Sequence, residues 1–163
     1  MRLTTHLLPD ARISLDDLTA ADLMTANPLS IREDATVAEA IRFLTNHAVS
    51  GSVVINAAGR PVGVISHTDI LVHHRERLHG AEMPFIPMSE VTAENWVEEG
   101  AFTGPTFVSE VMTPIVFTVR DTDLARKVVE QMVSLHVHRI FVVDEADVVV
   151  GVISALDVLR RLV

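Results

Sequence analysis

The stretch Gly63–Leu71 reads GVISHTDIL, and Gly151–Leu159 reads GVISALDVL, an offset of 88 residues. Extending that offset towards the N-terminus needs no gap. Met24-Thr25 falls on Met112-Thr113, Arg32 on Arg120, Val49 on Val137, Val54 on Val142 and Val62 on Val150. Matches held in one ungapped register mark an internal duplication, so the two halves must adopt one and the same local fold. The chain has 163 residues, enough for one ordinary domain or two small units sharing a core.

Each copy carries the same local grammar. In the first, Thr36-Val-Ala-Glu39 forms a capping box, and Val37, Ala40, Ile41, Leu44 and Ala48 follow at helical spacing. Ser52–Ile55 reads as a buried strand, Ala58-Gly59-Arg60 as a turn and Pro61–Ile65 as a second strand, together a hairpin. Ser66 opens another helix. The second copy places Leu124, Ala125, Val128, Val129, Met132 and Leu135 on its first helix. Its strands are Ile140–Val143 and Val148–Ile153, and a last helix runs from about Ser154 to Leu162. The order in each unit is strand, helix, strand, strand, helix. A connector carries Pro84, Pro87 and Pro105 and a net charge of −4 over residues 72–107, with a helix expected over Ser89–Glu99 that bears Trp96. A short helix from Ser14 is expected to pack beside unit 2 or on a partner chain. The resulting division is an N-terminal arm (1–20), a first unit (21–72), a connector (73–107) and a second unit (108–163).

Composition narrows the function classes. Nearly half the residues are apolar but Tyr is absent, so the core must be built from Val, Ile, Leu, Ala and Met. The net charge of −9 gives no basic footprint for nucleic acid and no basic amphipathic stretch for a membrane surface. The absence of cysteine excludes disulfides, thiol catalysis and cysteine–zinc sites. No apolar run is long enough to span a bilayer, and MRLTTHLLPDAR lacks the apolar region of a signal peptide, so a cytoplasmic protein is expected. Among the eight histidines, His73, His74 and His79 cluster and His136 and His138 alternate. No Cys/His frame accompanies them, so no metal site is expected.

The segments DLMTANPLSI (Asp22–Ile31), EVMTPIVFTV (Glu110–Val119), HAVSGSVVIN (His47–Asn56), HVHRIFVVD (His136–Asp144) and the two GVIS-x-x-D stretches carry a family likeness. In that order, doubled at a fixed offset, they resemble the CBS-domain family in the tandem arrangement called a Bateman module. The resemblance covers residues 21–72 and 108–160. It implies an α/β (α+β type) fold of two β-α-β-β-α units packed with pseudo-twofold symmetry around two clefts, and further pairing into a homodimer. It also implies a ligand of the AMP, ADP or ATP type, with S-adenosylmethionine as another, no required cofactor, and regulation of an unidentified partner protein.

The site residues follow from motif and resemblance together. Ser66 with Asp69, and Ser154 with Asp157, stand where a strand hands over to a helix. A carboxylate there is acceptor-only and can take ribose hydroxyls. The same Ser-x-x-Asp pattern also serves as a helix N-terminal cap, and the two roles are compatible. The resemblance assigns ribose and phosphate contacts to these four residues and adenine contacts to the backbone of Ser50-Gly51 and Val137-His138-Arg139-Ile140. His138 or Arg139 would meet phosphate, because a guanidinium reads phosphate oxygens in a forked geometry. Where the family often has proline, this chain has Val53 and Phe141. Thr25, Ser30, Thr113 and Thr118 flank the first strands, where family members direct a hydroxyl to the nucleotide and where turn chemistry is the other reading. The basic strand entry occurs in one copy only, so two unequal clefts are expected. No nucleophile motif, P-loop or paired acids point to catalysis, and the expected function is nucleotide sensing, with a ligand-free dimerisation scaffold as the alternative.

Overall fold

A capping box sets the start of the first long helix. In the computed structural model, which describes residues 15, 17–77 and 105–161, Thr36 Oγ1 accepts from the Glu39 N–H at 3.2 Å and Glu39 Oε2 accepts from the Thr36 N–H at 2.7 Å. The helix over Ser89–Glu99, Trp96, His79 and the residue Ser14 lie outside the described residues. Leu15 lies in a turn and Asp17 in a bend, and the first helix among the described residues begins at Ala20.

The elements run α1 (Ala20–Leu23), β1 (Thr25–Ala26), β2 (Ser30–Arg32), α2 (Val37–Asn46), β3 (Gly51–Ile55), β4 (Pro61–Ser66) and α3 (His67–Arg77). The second copy supplies α4 (Val108–Val111), β5 (Thr118–Arg120), α5 (Ala125–Ser134), β6 (Arg139–Val143), β7 (Val149–Ser154) and α6 (Ala155–Arg160). Each copy therefore holds the expected β-α-β-β-α unit behind a short lead-in. β2 pairs parallel with β3, which pairs antiparallel with β4. β5, β6 and β7 repeat that pattern. The irregularity between Val54 and Ile55 recurs between Val142 and Val143.

The lead segments are exchanged. β1 adds to the sheet of unit 2 beside β7, with Thr25 opposite Val152, while Thr113 bonds to Val64 of β4 in both directions at 3.0 and 2.9 Å. Ala20 and Leu23 lie in the core built on α5, β6 and β7, whereas Val108 and Val111 lie in the core of α2, β3 and β4. Burying Leu23 and Val108 in this way is worth about 1.5–3 kcal/mol each. Of the two positions expected for the N-terminal segment, the described part takes the one beside unit 2, where Leu15 and Leu18 also pack.

Two glycines make this exchange possible. A Cβ on Gly63 would stand 2.6 Å from the Thr113 carbonyl oxygen and 2.8 Å from Met112 Sδ. One on Gly151 would run into Met24 Sδ, with Met24 Cγ at 2.8 Å and Cβ at 2.9 Å. The glycine of each GVIS stretch is thus the floor on which the other copy's methionine rests.

Candidate functional site

The two Ser-x-x-Asp elements do form helix caps. Asp69 Oδ2 accepts from the Ser66 N–H at 2.8 Å and from its hydroxyl at 2.5 Å. Asp157 Oδ2 accepts from the Ser154 N–H and hydroxyl at 2.8 and 2.6 Å. The capping reading is correct at both positions, and each carboxylate keeps its Oδ1 for something else. What Oδ1 meets differs. Asp69 Oδ1 accepts from Thr113 Oγ1 at 2.9 Å. Asp157 Oδ1 has no hydrogen bond among the described residues and only Arg160 Nη1 at 3.7 Å.

Between the units lies a cavity of about 850 Å³. Its walls come in pairs related by the repeat, including Thr25 with Thr113, Val49 with Val137, Gly51 with Arg139 and Ser66 with Ser154. Of the sequence-derived candidates, Thr25, Ser50, Gly51, Ser66, Thr113, Val137, Arg139, Ser154 and Asp157 line it. Five others do not, among them Ser30 on β2. Ile140 points into the core and is fully buried. Asp69 is drawn aside by Thr113. Thr118 lies on β5, opposite Phe141 and off the cavity wall. His138 is exposed outside the cavity, its carbonyl accepting from the Ala155 N–H at 3.0 Å. The basic strand entry therefore reaches the cavity through Arg139 alone.

Sequence reasoning did not single out Asn27, Pro28, Leu29, Ile115, Val116 and Phe117, which also line the cavity. They sit where each lead segment turns towards its next strand. Leu29, Ile115 and Phe117 are 41%, 58% and 38% exposed, large apolar side chains left uncovered at the cavity. Asn27 takes a left-handed φ of 53°, a conformation that Asn tolerates better than most residues. The signal for them was their place inside the two segments that carry the family likeness, because at the fixed offset Asn27, Pro28 and Leu29 fall on the different residues Ile115, Val116 and Phe117.

The electrostatics are spare. Among the described lining residues Arg139 is the one cation and Asp157 the one acid. Arg139 pairs with Ser154 in the β6–β7 register, so the cation and the carboxylate belong to the same half of the cavity. Gly51 pairs with Ser66 in the matching register and brings no charge. Arg139 has no ion pair among the described residues. The rest of the wall is largely aliphatic and aromatic, suited to a flat apolar ring with a polar end. Among the described residues no group of His, Asp or Glu could hold a metal ion, and no helix is long and apolar enough to cross a membrane.

Comparison with known proteins bears on this geometry. The model of the CBS domain matches residues 20–76 and again 108–163, more than half of the chain. An uncharacterized protein of Methanocaldococcus jannaschii is 28% identical over 145 residues, 83% of this chain and 86% of that one. The cytosolic domain of the Mg2+ channel MgtE, solved in complex with ATP, is 28% identical. It superposes with a TM-score of 0.62 over 87% of this chain and 48% of that one, so this chain spans about half of it. CBSX2, solved in complex with AMP, shares the fold at a TM-score of 0.62 and 23% identity, over 87% of this chain and 93% of that one.

Proposed function

Because the chain belongs to the CBS-domain family, as a tandem pair of such domains, we propose that it is a regulatory module that binds an adenine nucleotide and modulates a separate partner protein. The observation that carries this reading is that Asp157, whose Oδ1 carries no hydrogen bond among the described residues, Arg139 and Thr25 line one cavity whose wall is largely apolar. The base would lie against Phe117, Phe141 and Val137. A ribose hydroxyl would donate to Asp157 Oδ1, and Arg139 would take phosphate oxygens. ATP in the MgtE domain and AMP in CBSX2 support the ligand class. Catalysis has no support in this arrangement, since Asp157 is committed to a cap and faces no second acid.

The mechanism would be a population shift. The walls come from both units, so a bound nucleotide touches both and favours the relative arrangement that fits it. The effect is limited by the ligand's differential affinity for the two arrangements. A cytoplasmic location belongs to this reading. The second reading is a ligand-free dimerisation scaffold. It is favoured by Leu156 and Leu159, which stand one turn apart on α6 at 61% and 55% exposure and offer an apolar face to a second copy.

A thermal-shift panel of AMP, ADP, ATP and S-adenosylmethionine separates the two. A ligand present at a hundredfold excess over its Kd adds about 2.7 kcal/mol, which for a domain of this size raises Tm by roughly 5–10 °C. A rise with an adenine nucleotide is expected. No rise with any of the four at millimolar concentration would leave the scaffold.

A further inference from the structure

The two carboxylates of the repeat are caps of the same kind with different second oxygens, and this difference bears on how many ligands the cavity takes. At Asp157, Oδ2 is spent on Ser154, and Oδ1 has no hydrogen bond among the described residues, with only Arg160 Nη1 at 3.7 Å. At Asp69, Oδ2 is spent on Ser66 and Oδ1 is taken by the Thr113 hydroxyl at 2.9 Å. Thr25 holds the position in the other half that Thr113 holds here, and it makes no such bond among the described residues. A ligand hydroxyl arriving at Asp69 would therefore replace one hydroxyl-to-carboxylate hydrogen bond with another of the same kind, while having to displace a side chain whose backbone is fixed to Val64 on both sides. The same half also lacks a cation, because Gly51 stands where the other half has Arg139.

We propose that this chain takes one nucleotide, not two, and that the Thr113 hydroxyl closes the unit 1 half by occupying the Asp69 oxygen that a ribose would need. The inference rests on the nucleotide reading above. Thr113 acts as an internal stand-in for the ligand, tying the unit 2 lead segment to the start of α3 whether or not the other half is filled.

Isothermal titration of the intact chain with AMP tests this, run beside Thr113→Ala and Thr113→Ser. Thr113 is exposed and its bonds to Val64 are made by backbone atoms, so neither change removes the strand contact. The expected result is one AMP per chain in the wild type and in Thr113→Ser, which keeps the hydroxyl. Thr113→Ala should take two, the second at least about tenfold weaker because it lacks a cation, a difference of about 1.4 kcal/mol. Two sites in the wild type, two in the serine variant, or one in the alanine variant would overturn this inference while leaving the nucleotide reading in place. No AMP bound by any of the three would overturn it by way of the nucleotide reading itself.

Discussion

Unit 1 and unit 2 bend their chains at matching places, apart from Asn27, whose left-handed φ has no counterpart at Ile115. Ala48 and His136 both end a helix with a left-handed φ, of 52° and 55°, and Gly59 and Asp147 both turn a hairpin at 77° and 63°. The same strand irregularity and the same exchanged lead segment occur in both. The side chains laid on this common backbone differ where chemistry is at stake. Gly51 holds the position in unit 1 that Arg139 holds in unit 2, Thr36 that of Leu124, and Asp69 is bonded to Thr113 while Asp157 Oδ1 carries no hydrogen bond among the described residues. The comparison teaches that the duplicated backbone builds the cavity, and that a few unmatched side chains decide which half of it can hold a charged ligand.

The largest expected effect tests the matched part. Gly63→Ala and Gly151→Ala should each cost about 1–3 kcal/mol by overpacking. Gly63→Ala should cost the more, because it meets at 2.6 Å the backbone oxygen of Thr113, a residue held to Val64 by hydrogen bonds through both its N–H and its carbonyl, whereas the nearest atoms to a Cβ on Gly151 are those of the Met24 side chain. Urea denaturation of the pairs sharpens this. Trimming Met24 to Ala should recover part of the Gly151→Ala loss relative to Met24→Ala alone, and trimming Met112 should not do the same for Gly63→Ala. Equal recovery in both would break the distinction.

A smaller effect tests an unmatched pair. α2 begins with the Thr36–Glu39 box, while α5 begins at Leu124 with no side-chain cap. Thr36→Ala should destabilise by about 1 kcal/mol. Leu124→Ser should stabilise by about 0.5–1 kcal/mol, since Leu124 is 53% exposed and little burial is lost. A loss of stability in Leu124→Ser, read by the same denaturation, would contradict the asymmetry.

The smallest effect is on pH. The Thr36 and Thr19 backbone N–H groups and hydroxyls hold the Glu39 and Asp22 carboxyls below their ordinary values. Burial raises Asp123, but the Lys127 ammonium and the Arg120 N–H outweigh it and leave that carboxyl lowered too. A carboxyl lowered on folding contributes stability that is present above its unfolded value, about 4, and lost as pH falls through the folded value. Melting temperature should therefore fall between about pH 5 and pH 3, and less steeply in Glu39→Gln. A Tm that holds or rises over that range would contradict the sign.

Most of the fold was legible because it is periodic or punctuated. Apolar spacing gave α2 and α5, Ala58-Gly59-Arg60 gave the turn, and Ser66 and Ser154 gave the last helices. The exchange of lead segments was not legible, because a fixed offset reads the same whichever copy Met24 and Met112 pack against. The role of Gly63 and Gly151 was hidden for the same reason, since it depends on a methionine 49 residues away in one case and 127 in the other. At the site, Ser154, Asp157 and Arg139 were readable from motif and resemblance. The difference between Asp69 and Asp157 was not, because it hangs on a hydroxyl from the other copy. Nor were the lining turns Asn27–Leu29 and Ile115–Phe117, because they have no periodic pattern.

The central claim is that nucleotide binding belongs to the Asp157 half. Asparagine at either position can keep the cap through its carbonyl oxygen while replacing the second acceptor with a donor. Calorimetric titration of AMP into Asp157→Asn and Asp69→Asn compares the halves directly. The account predicts that Asp157→Asn weakens AMP binding at least about tenfold, a loss of about 1.4 kcal/mol, and that Asp69→Asn binds as the wild type does. Equal losses in the two variants, or a loss in Asp69→Asn alone, would contradict it.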